Sequence, residues 1–184
     1  MSAKEIRLHG RGGQGAVLAG RMLASAAAAE GKHVASFPMY GFERRGMPVV
    51  AFTRVSEEPI REKTQIYTPD CLMVVDPTLV HLKNLFDGLK EGGILILNSS
   101  APLEKQLSPN LKKAGVIDAT QVALSEIGRD IPNTCLIGAL AKVTGWVKLE
   151  SVLAGLANYL EGDMLKRNIR NAERGYQEVE VVTW

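Results

Sequence analysis

Apolar and polar positions along this chain follow two rhythms that take turns. The run Ile6–Leu8 reads as a short strand closing at His9. Immediately after the glycines of "GRGGQG" a helix opens at Gly15 or Ala16 and runs to about Glu30, with Gly31 as its natural stop and Lys32 beside its C-terminal end. The helix is rich in alanine and glycine ("AVLAG", "ASAAAAE"), which allows close approach to a sheet. "HVASF" (33–37) and "VVAFTRVS" (49–56) read as the second and third strands. The link between them, "PMYGFERRGMP" (38–48), carries no helical pattern and is shorter than a parallel crossover needs, so it leaves room for an antiparallel third strand and a mixed sheet.

Further along, "CLMVVD" (71–76) and "GGILILN" (92–98) are continuous apolar runs of the kind buried on both faces. Between them Leu79, Leu82, Leu85, Phe86 and Leu89 fall near helical spacing and predict a helix over 78–90. "GVIDA" (115–119) is the last expected strand. Beyond it the pattern is helical over roughly 120–128, 133–145, 149–160 and 163–177, with Leu165, Ile169, Ala172 and Tyr176 on one face of the last. Alternating strands and helices predict an α/β fold, a mostly parallel sheet covered by helices. No internal repeat or low-complexity linker divides the 184 residues, so a single domain over 1–184 is expected.

Charge changes this picture only locally. The net charge is +2, which does not point to nucleic acid or to an anionic membrane as a partner. Residues 1–50 nevertheless hold seven Lys/Arg against three Asp/Glu, so the glycine turn lies in the basic part of the chain, either as a site or as an ordinary solvated surface. The two cysteines, Cys71 and Cys135, are far apart and flanked by apolar residues. No CxxC or Cys/His cluster is present to ligate an iron–sulfur cluster or a structural zinc, and buried free thiols in a reducing cytoplasm are expected. The N-terminus "MSAKEIRLHG" lacks the apolar core of a signal peptide, and no apolar run approaches a membrane span.

A strand that turns through glycines into a helix presents unpaired backbone N–H groups and the positive end of a helix dipole. Gly10, Gly12 and Gly15 match the G-x-G-x-x-G spacing of dinucleotide sites, with Gly13 an extra glycine inside the turn. The ribose-binding acid expected at the end of the second strand is missing from "ASFPMYG", and Glu43 lies further on, in a loop. Arg11 inside the turn suits a phosphate or carboxylate, and the Gln14 amide both donates and accepts. The alternative is that these glycines serve only a tight turn and close helix–sheet packing. In the second informative stretch, Tyr40, Phe42, Glu43, Arg44, Arg45 and Gly46 make a loop dense in interface-type residues, or one that is simply solvated. No catalytic constellation appears. His9, His33 and His81 are scattered, Ser99 and Ser100 lack a nucleophile elbow, and Asp76 is a turn cap more readily than an acid.

Taken together, "GRGGQGAVLAGRMLASAA" and "SFPMYGFERRGMPVVAFTRVSEEPIR" resemble the gamma subunit of 2-oxoacid:ferredoxin oxidoreductases of the pyruvate and 2-ketoisovalerate type. Further matches run through "DCLMVVDPTL", "GGILILNSS" and "IPNTCLIGALAKVTG". The resemblance implies a three-layer, Rossmann-like domain in a cytoplasmic, multi-subunit enzyme. That enzyme oxidatively decarboxylates a 2-oxoacid with coenzyme A to acyl-CoA, CO2 and reduced ferredoxin. It also implies alpha, beta and delta-type partner subunits that hold thiamine diphosphate and iron–sulfur clusters, so that catalytic residues lie mainly outside this chain. Coenzyme A contact is then expected from Gly10, Arg11, Gly12, Gly13, Gln14, Gly15, Arg44 and Arg45, and subunit contact from Tyr40, Phe42, Glu43 and Gly46. The family loop often reads E-R-R-G-G-P; here Met47 takes the place of the second glycine and Phe42 that of a small residue. Indolepyruvate-type relatives carry Q-R-G-G where this chain has Glu43-Arg44-Arg45-Gly46. The competing readings are a self-contained nucleotide-binding interaction module and, with least support, an independent NAD dehydrogenase.

Overall fold

The computed structural model describes residues 3–39 and 46–184. The strands are β1 (Lys4–Arg11), β2 (His33–Pro38), β3 (Pro48–Ser56), β4 (Cys71–Val74), β5 (Gly93–Asn98), β6 (Leu111–Ile117) and β7 (Glu180–Thr183). The helices are α1 (Ala16–Ala29), α2 (Ala119–Ile127), α3 (Asn133–Thr144), α4 (Leu149–Leu156) and α5 (Gly162–Glu178), with a short 3-10 helix over Pro77–His81. All seven strands join one sheet in the order β2-β3-β1-β4-β5-β6-β7. β1 is parallel to β4, β4 to β5 and β5 to β6, while β3 runs antiparallel to both β1 and β2. The short β2–β3 link thus has the consequence its length implied: an α/β fold with a mixed sheet.

One face of the sheet carries all five helices. Ile6 and Leu8 of β1, Cys71 and Met73 of β4, and Ile96 of β5 point into that layer, where they meet the alanine face of α1 and the nearly all-buried α3. The opposite face is covered over β4–β6 by Leu79, Leu85 and Leu89, with Leu103, Leu107 and Trp184 packed alongside. These leucines come from turns, and here the expectation of a helix over 78–90 fails. The 3-10 helix ends at Leu82, whose backbone is extended (φ −67°, ψ 127°). The Arg7 guanidinium then takes the carbonyls of Leu85 (2.7 Å) and Asp87 (3.0 Å). An α-helix through this segment would commit those carbonyls to its own N–H groups. The apolar spacing is real but is satisfied by turns. β7 is the second departure: it pairs antiparallel with β6 at the sheet edge, and its exposed EVVT sequence carries no alternation to announce it.

At the amino edge of the sheet the buried Arg54 of β3 donates to Glu5 (2.9 Å) and to the Thr64 carbonyl (2.7 Å). Lys90 joins Glu5 (3.3 Å) and Asp70 (3.1 Å) to the same network. It fastens the long connection 57–70 under β1 and β3, at the opposite end from the glycine turn.

Helices α3 and α5 cross at backbone contact. A methyl group on Gly138 would overlap the Ala172 carbonyl, and one on Gly175 would overlap the Cys135 carbonyl. In an exposed helix Gly→Ala gains about 1 kcal/mol of helix propensity. At this crossing the sign reverses, and Gly138→Ala or Gly175→Ala is expected to destabilise the subunit by about 1–3 kcal/mol through overpacking. Urea unfolding followed by circular dichroism checks this; a stabilised G138A would show that the helices do not cross here as closely as described.

Candidate functional site

The order in which successive strands are added to the sheet reverses between β1 and β4, which run parallel. The connection leaving β1 through α1 leads to β2 on one side, while β4, β5 and β6 succeed one another on the other. The crevice beyond the carboxyl ends of β1 and β4 is where open α/β sheets bind ligands. It is built from the glycine turn and the Asp76–Thr78 corner.

Asp76 closes β4 and organises the corner. Its carboxylate accepts from the Thr78 backbone N–H (2.9 Å) and from the Thr78 hydroxyl, capping the 3-10 helix that Pro77 begins. The same carboxylate accepts from Gln14 Nε2 (2.7 Å) and pairs with Arg11 Nε (3.3 Å). Gln14 Oε1 in turn accepts from the Arg11 backbone N–H (2.8 Å), so the glutamine amide is bonded at both ends within the turn. Arg11 also donates to Thr78 Oγ1 (2.9 Å) and to the Gly46 carbonyl (3.2 Å). Burial pushes the Asp76 carboxyl up, but the Thr78 and Gln14 hydrogen bonds and the Arg11 charge outweigh it and hold the group below the usual carboxylate range. It is an ionised anchor, as its turn-cap pattern implied.

Backbone bonds bring the next loop to the turn. Gly12 N–H donates to the Met47 carbonyl (2.9 Å), and Gly46 N–H to the Gly12 carbonyl (3.1 Å). Gly46 therefore lies against the turn; Tyr40, Phe42, Glu43, Arg44 and Arg45 lie outside the described residues.

Gly15 is the N-cap of α1 and lies in the left-handed region (φ 77°) that favours glycine. A Cβ there would come within 2.5 Å of Asn133 Nδ2, the first residue of α3, which donates to the Gly15 carbonyl (3.3 Å). Having no side chain, Gly15 caps nothing, and among the described residues no side chain caps the first N–H groups of α1 at the positive end of the helix. They lie in the wall of a cleft of about 440 Å³ lined by the glycine turn, Arg11, Val17, Leu18 and Arg21. Arg21 escaped the sequence reading. The available signal was its place four residues after Val17, on the same helix face. Its exposed guanidinium has no partner among the described residues. The cleft is suited to an anion: open helix N–H groups flanked by two arginines.

Other candidates gather no chemistry. Burial and the neighbouring Arg7 charge hold His9 down to about 3, so it is neutral at physiological pH, accepting from Arg7 Nε on its Nε2 (3.0 Å). A further cleft, about 510 Å³, lies beyond β5 and β6 beside Ser99 and Arg174. Its Ser99 hydroxyl donates to the Ala101 carbonyl, and its Arg174 is spent on Glu178 and Glu126. Both cysteines are free and buried. Among the described residues no helix is long and apolar enough to cross a membrane.

The Asp76 anchor has a titration signature. Its folded-state pKa lies below the unfolded value, so its contribution is complete above that unfolded value and fades as pH falls through the folded one. Asp76→Ala, which strands the Gln14 and Thr78 donors, is expected to cost about 1–3 kcal/mol at pH 7. The gap from the parent protein should narrow below about pH 4. Urea titrations at pH 7 and below pH 4 measure both; a gap that does not depend on pH would remove the charge from the explanation.

Comparison with known proteins places these features in a family. The model of the pyruvate ferredoxin/flavodoxin oxidoreductase family matches residues 5–178. The chain is 49% identical over 180 residues to the pyruvate/ketoisovalerate oxidoreductases common subunit gamma of Thermococcus kodakarensis, covering 96% of this chain and 97% of that protein. It superposes on the crystal structure of pyruvate oxidoreductase subunit PORC from Thermotoga maritima with a TM-score of 0.86 at 40% identity, over 98% of this chain and 99% of that one. The fold alone is shared with 2-oxoglutarate:ferredoxin oxidoreductase from Magnetococcus marinus, solved with 2-oxoglutarate, coenzyme A and succinyl-CoA bound. There the TM-score is 0.77 at 20% identity, over 96% of this chain and 31% of that one. By sequence and by architecture, this chain belongs to the pyruvate ferredoxin/flavodoxin oxidoreductase family, as one of its gamma-type subunits.

Proposed function

We propose that this subunit, folded as one domain over 1–184, serves a coenzyme A-dependent 2-oxoacid:ferredoxin oxidoreductase by holding part of the coenzyme A. The complete reaction converts a 2-oxoacid and coenzyme A to acyl-CoA and CO2, and passes two electrons to ferredoxin. Bond cleavage and electron transfer belong, on this reading, to alpha, beta and delta-type partners carrying thiamine diphosphate and iron–sulfur clusters in the cytoplasm. The observation that carries the proposal is the uncapped N-terminus of α1, open to a cleft between Arg11 and Arg21. Coenzyme A bears a diphosphate and a 3′-phosphate, and such groups suit open helix N–H groups and guanidinium donors. Gly12, Gly13 and Gly15 let the phosphate approach the backbone, while Gln14 keeps the shape of the turn. Arg44 and Arg45, which precede Gly46 in sequence, are assigned to the same ligand by their charge, and Tyr40, Phe42 and Glu43 to contact with a neighbouring subunit. The relative from Thermococcus kodakarensis is described as common to pyruvate and ketoisovalerate enzymes. That supports a gamma subunit whose ligand is coenzyme A, shared by both reactions, with the oxoacid chosen elsewhere.

Purification of the tagged chain from its host without oxygen, followed by assay of coenzyme A-dependent 2-oxoacid oxidation, tests the assembly. A chain that purifies alone and binds its own nucleotide would return the reading to a stand-alone module. Within the complex, Arg21→Ala and Arg45→Ala should each raise the KM for coenzyme A about five- to tenfold and move the KM for the oxoacid less than about twofold. Unchanged coenzyme A kinetics in both variants would leave turn and loop with a structural role only.

A further inference from the structure

The sheet ends in two edge strands, β2 and β7. On β2, Met39 N–H donates to the Val50 carbonyl, so by alternation Pro38 occupies an outward position, where it has no N–H to give a further strand. β7 carries no proline, and its pairing with β6 keeps one register throughout. Trp184 N–H donates to the Lys112 carbonyl (3.1 Å), so Trp184, Val182 and Glu180 turn their backbone groups toward β6. Val181 and Thr183 turn theirs to the open edge. Val181 lies opposite Gly115, where an added Cβ would meet Val143, Val179 and Ile96, so Val181 and Thr183 stand on the helical face of the sheet. Glu180, Val182 and Trp184 stand on the other face, with Trp184 packed beside the leucine cluster. The apolar Val181 is 45% exposed. Glu180 at the start of the strand and Lys112 beside its end are both exposed, and neither side chain has a partner among the described residues.

We propose that β7 pairs antiparallel with β7 of a second copy of this chain, about a two-fold axis at Val182, joining the two sheets into one. The pairing stands apart from the coenzyme A reading. An interface between identical copies must be self-complementary, and this edge is. Setting Val181 against the partner's Thr183, and Thr183 against the partner's Val181, uses every outward backbone group of both strands. Val181 then meets the threonine methyl, the two Val182 side chains meet at the axis, and Glu180 stands beside the partner's Trp184. The partner's Lys112 is one strand further, roughly 10 Å from Glu180 between backbones and within joint reach of the two side chains. Inside one copy the same two residues are roughly 14 Å apart along and across the ladder, too far to pair. An acid at one end of the strand and a base at the other attract when two such edges run antiparallel. A contact this short makes a weak, reversible dimer rather than a permanent one.

Sedimentation velocity of the full chain over a concentration series tests this, and a reversible monomer–dimer equilibrium is expected. Val181→Pro gives β7 the feature that β2 carries at Pro38: it removes an outward N–H and leaves the bonds to β6 in place. It should weaken the dimer about tenfold or more. Glu180→Lys sets a lysine beside the partner's Lys112 and should weaken the dimer about fivefold or more; adding Lys112→Glu should restore the parent affinity within about twofold. This charge swap decides the matter even if the proline variant fails to fold. A chain that is monomeric at every concentration would overturn the proposal. So would dimers unchanged in both V181P and E180K, which would put the contact on another surface. A loss in E180K that K112E does not repair would overturn the antiparallel register. A monomeric chain whose V181P variant is excluded from the assembled oxidoreductase would assign the edge to a different subunit, which also overturns the proposal.

Discussion

One carboxylate joins the parts of this molecule that matter for its role. Asp76 stands where β4 ends, and its two oxygens gather the backbone and hydroxyl of Thr78, the Gln14 amide and the Arg11 guanidinium. Four segments converge through these bonds: the end of β1, the glycine turn, the 3-10 helix after β4, and, through Arg11, the return of the loop at Gly46. A turn made of glycines has little shape of its own, because glycine gives up more conformational freedom on folding than any other residue. The ionised carboxylate supplies that missing definition while leaving the first N–H groups of α1 unspent. The turn is thus held from the sheet side and open on the helix side.

Much of this organisation is visible in the linear chain, and the exceptions have physical reasons. β4 and β5 are recognisable because strands buried on both faces must be apolar throughout, and the antiparallel β3 follows from a link too short to cross the sheet. The segment 77–90 misleads because Leu79, Leu85 and Leu89 need only reach the sheet, and turns whose carbonyls are taken by Arg7 achieve that as well as a helix. β7 is hidden because an edge strand exposed over most of its length has no burial to impose alternation. At the site, the glycine spacing marks the place but not the wiring. Arg11 looks like a hand held out to a ligand, yet part of its donor set is already spent on Asp76 and Thr78. Arg21 passes unnoticed because a single arginine on an amphipathic helix is ordinary until its neighbours are known. Asn133 is further from notice still, since its value depends on a glycine 118 residues away in sequence.

The two ends of the sheet divide the work. At the amino edge Arg54, Glu5, Lys90 and Asp70 satisfy one another, an arrangement that fastens chain to chain and leaves little for a ligand. At the carboxyl edge, among the described residues, no side chain caps α1 and the Arg21 guanidinium has no partner. Helices α3 and α5, in backbone contact through Gly138 and Gly175, form the rigid backing for that edge. The amide that braces Gly15 projects from the first residue of α3, so the turn inherits the rigidity of the helix pair behind it.

The two cysteines close the account from the side of reactivity. Burial pushes the thiols of Cys71 and Cys135 up, the latter to about 12, so both stay protonated and out of reach of solvent. An enzyme that makes a thioester runs a standing risk: any accessible thiolate nearby can attack the thioester and take the acyl group, releasing the thiol that carried it. Neither cysteine of this subunit offers such a thiolate.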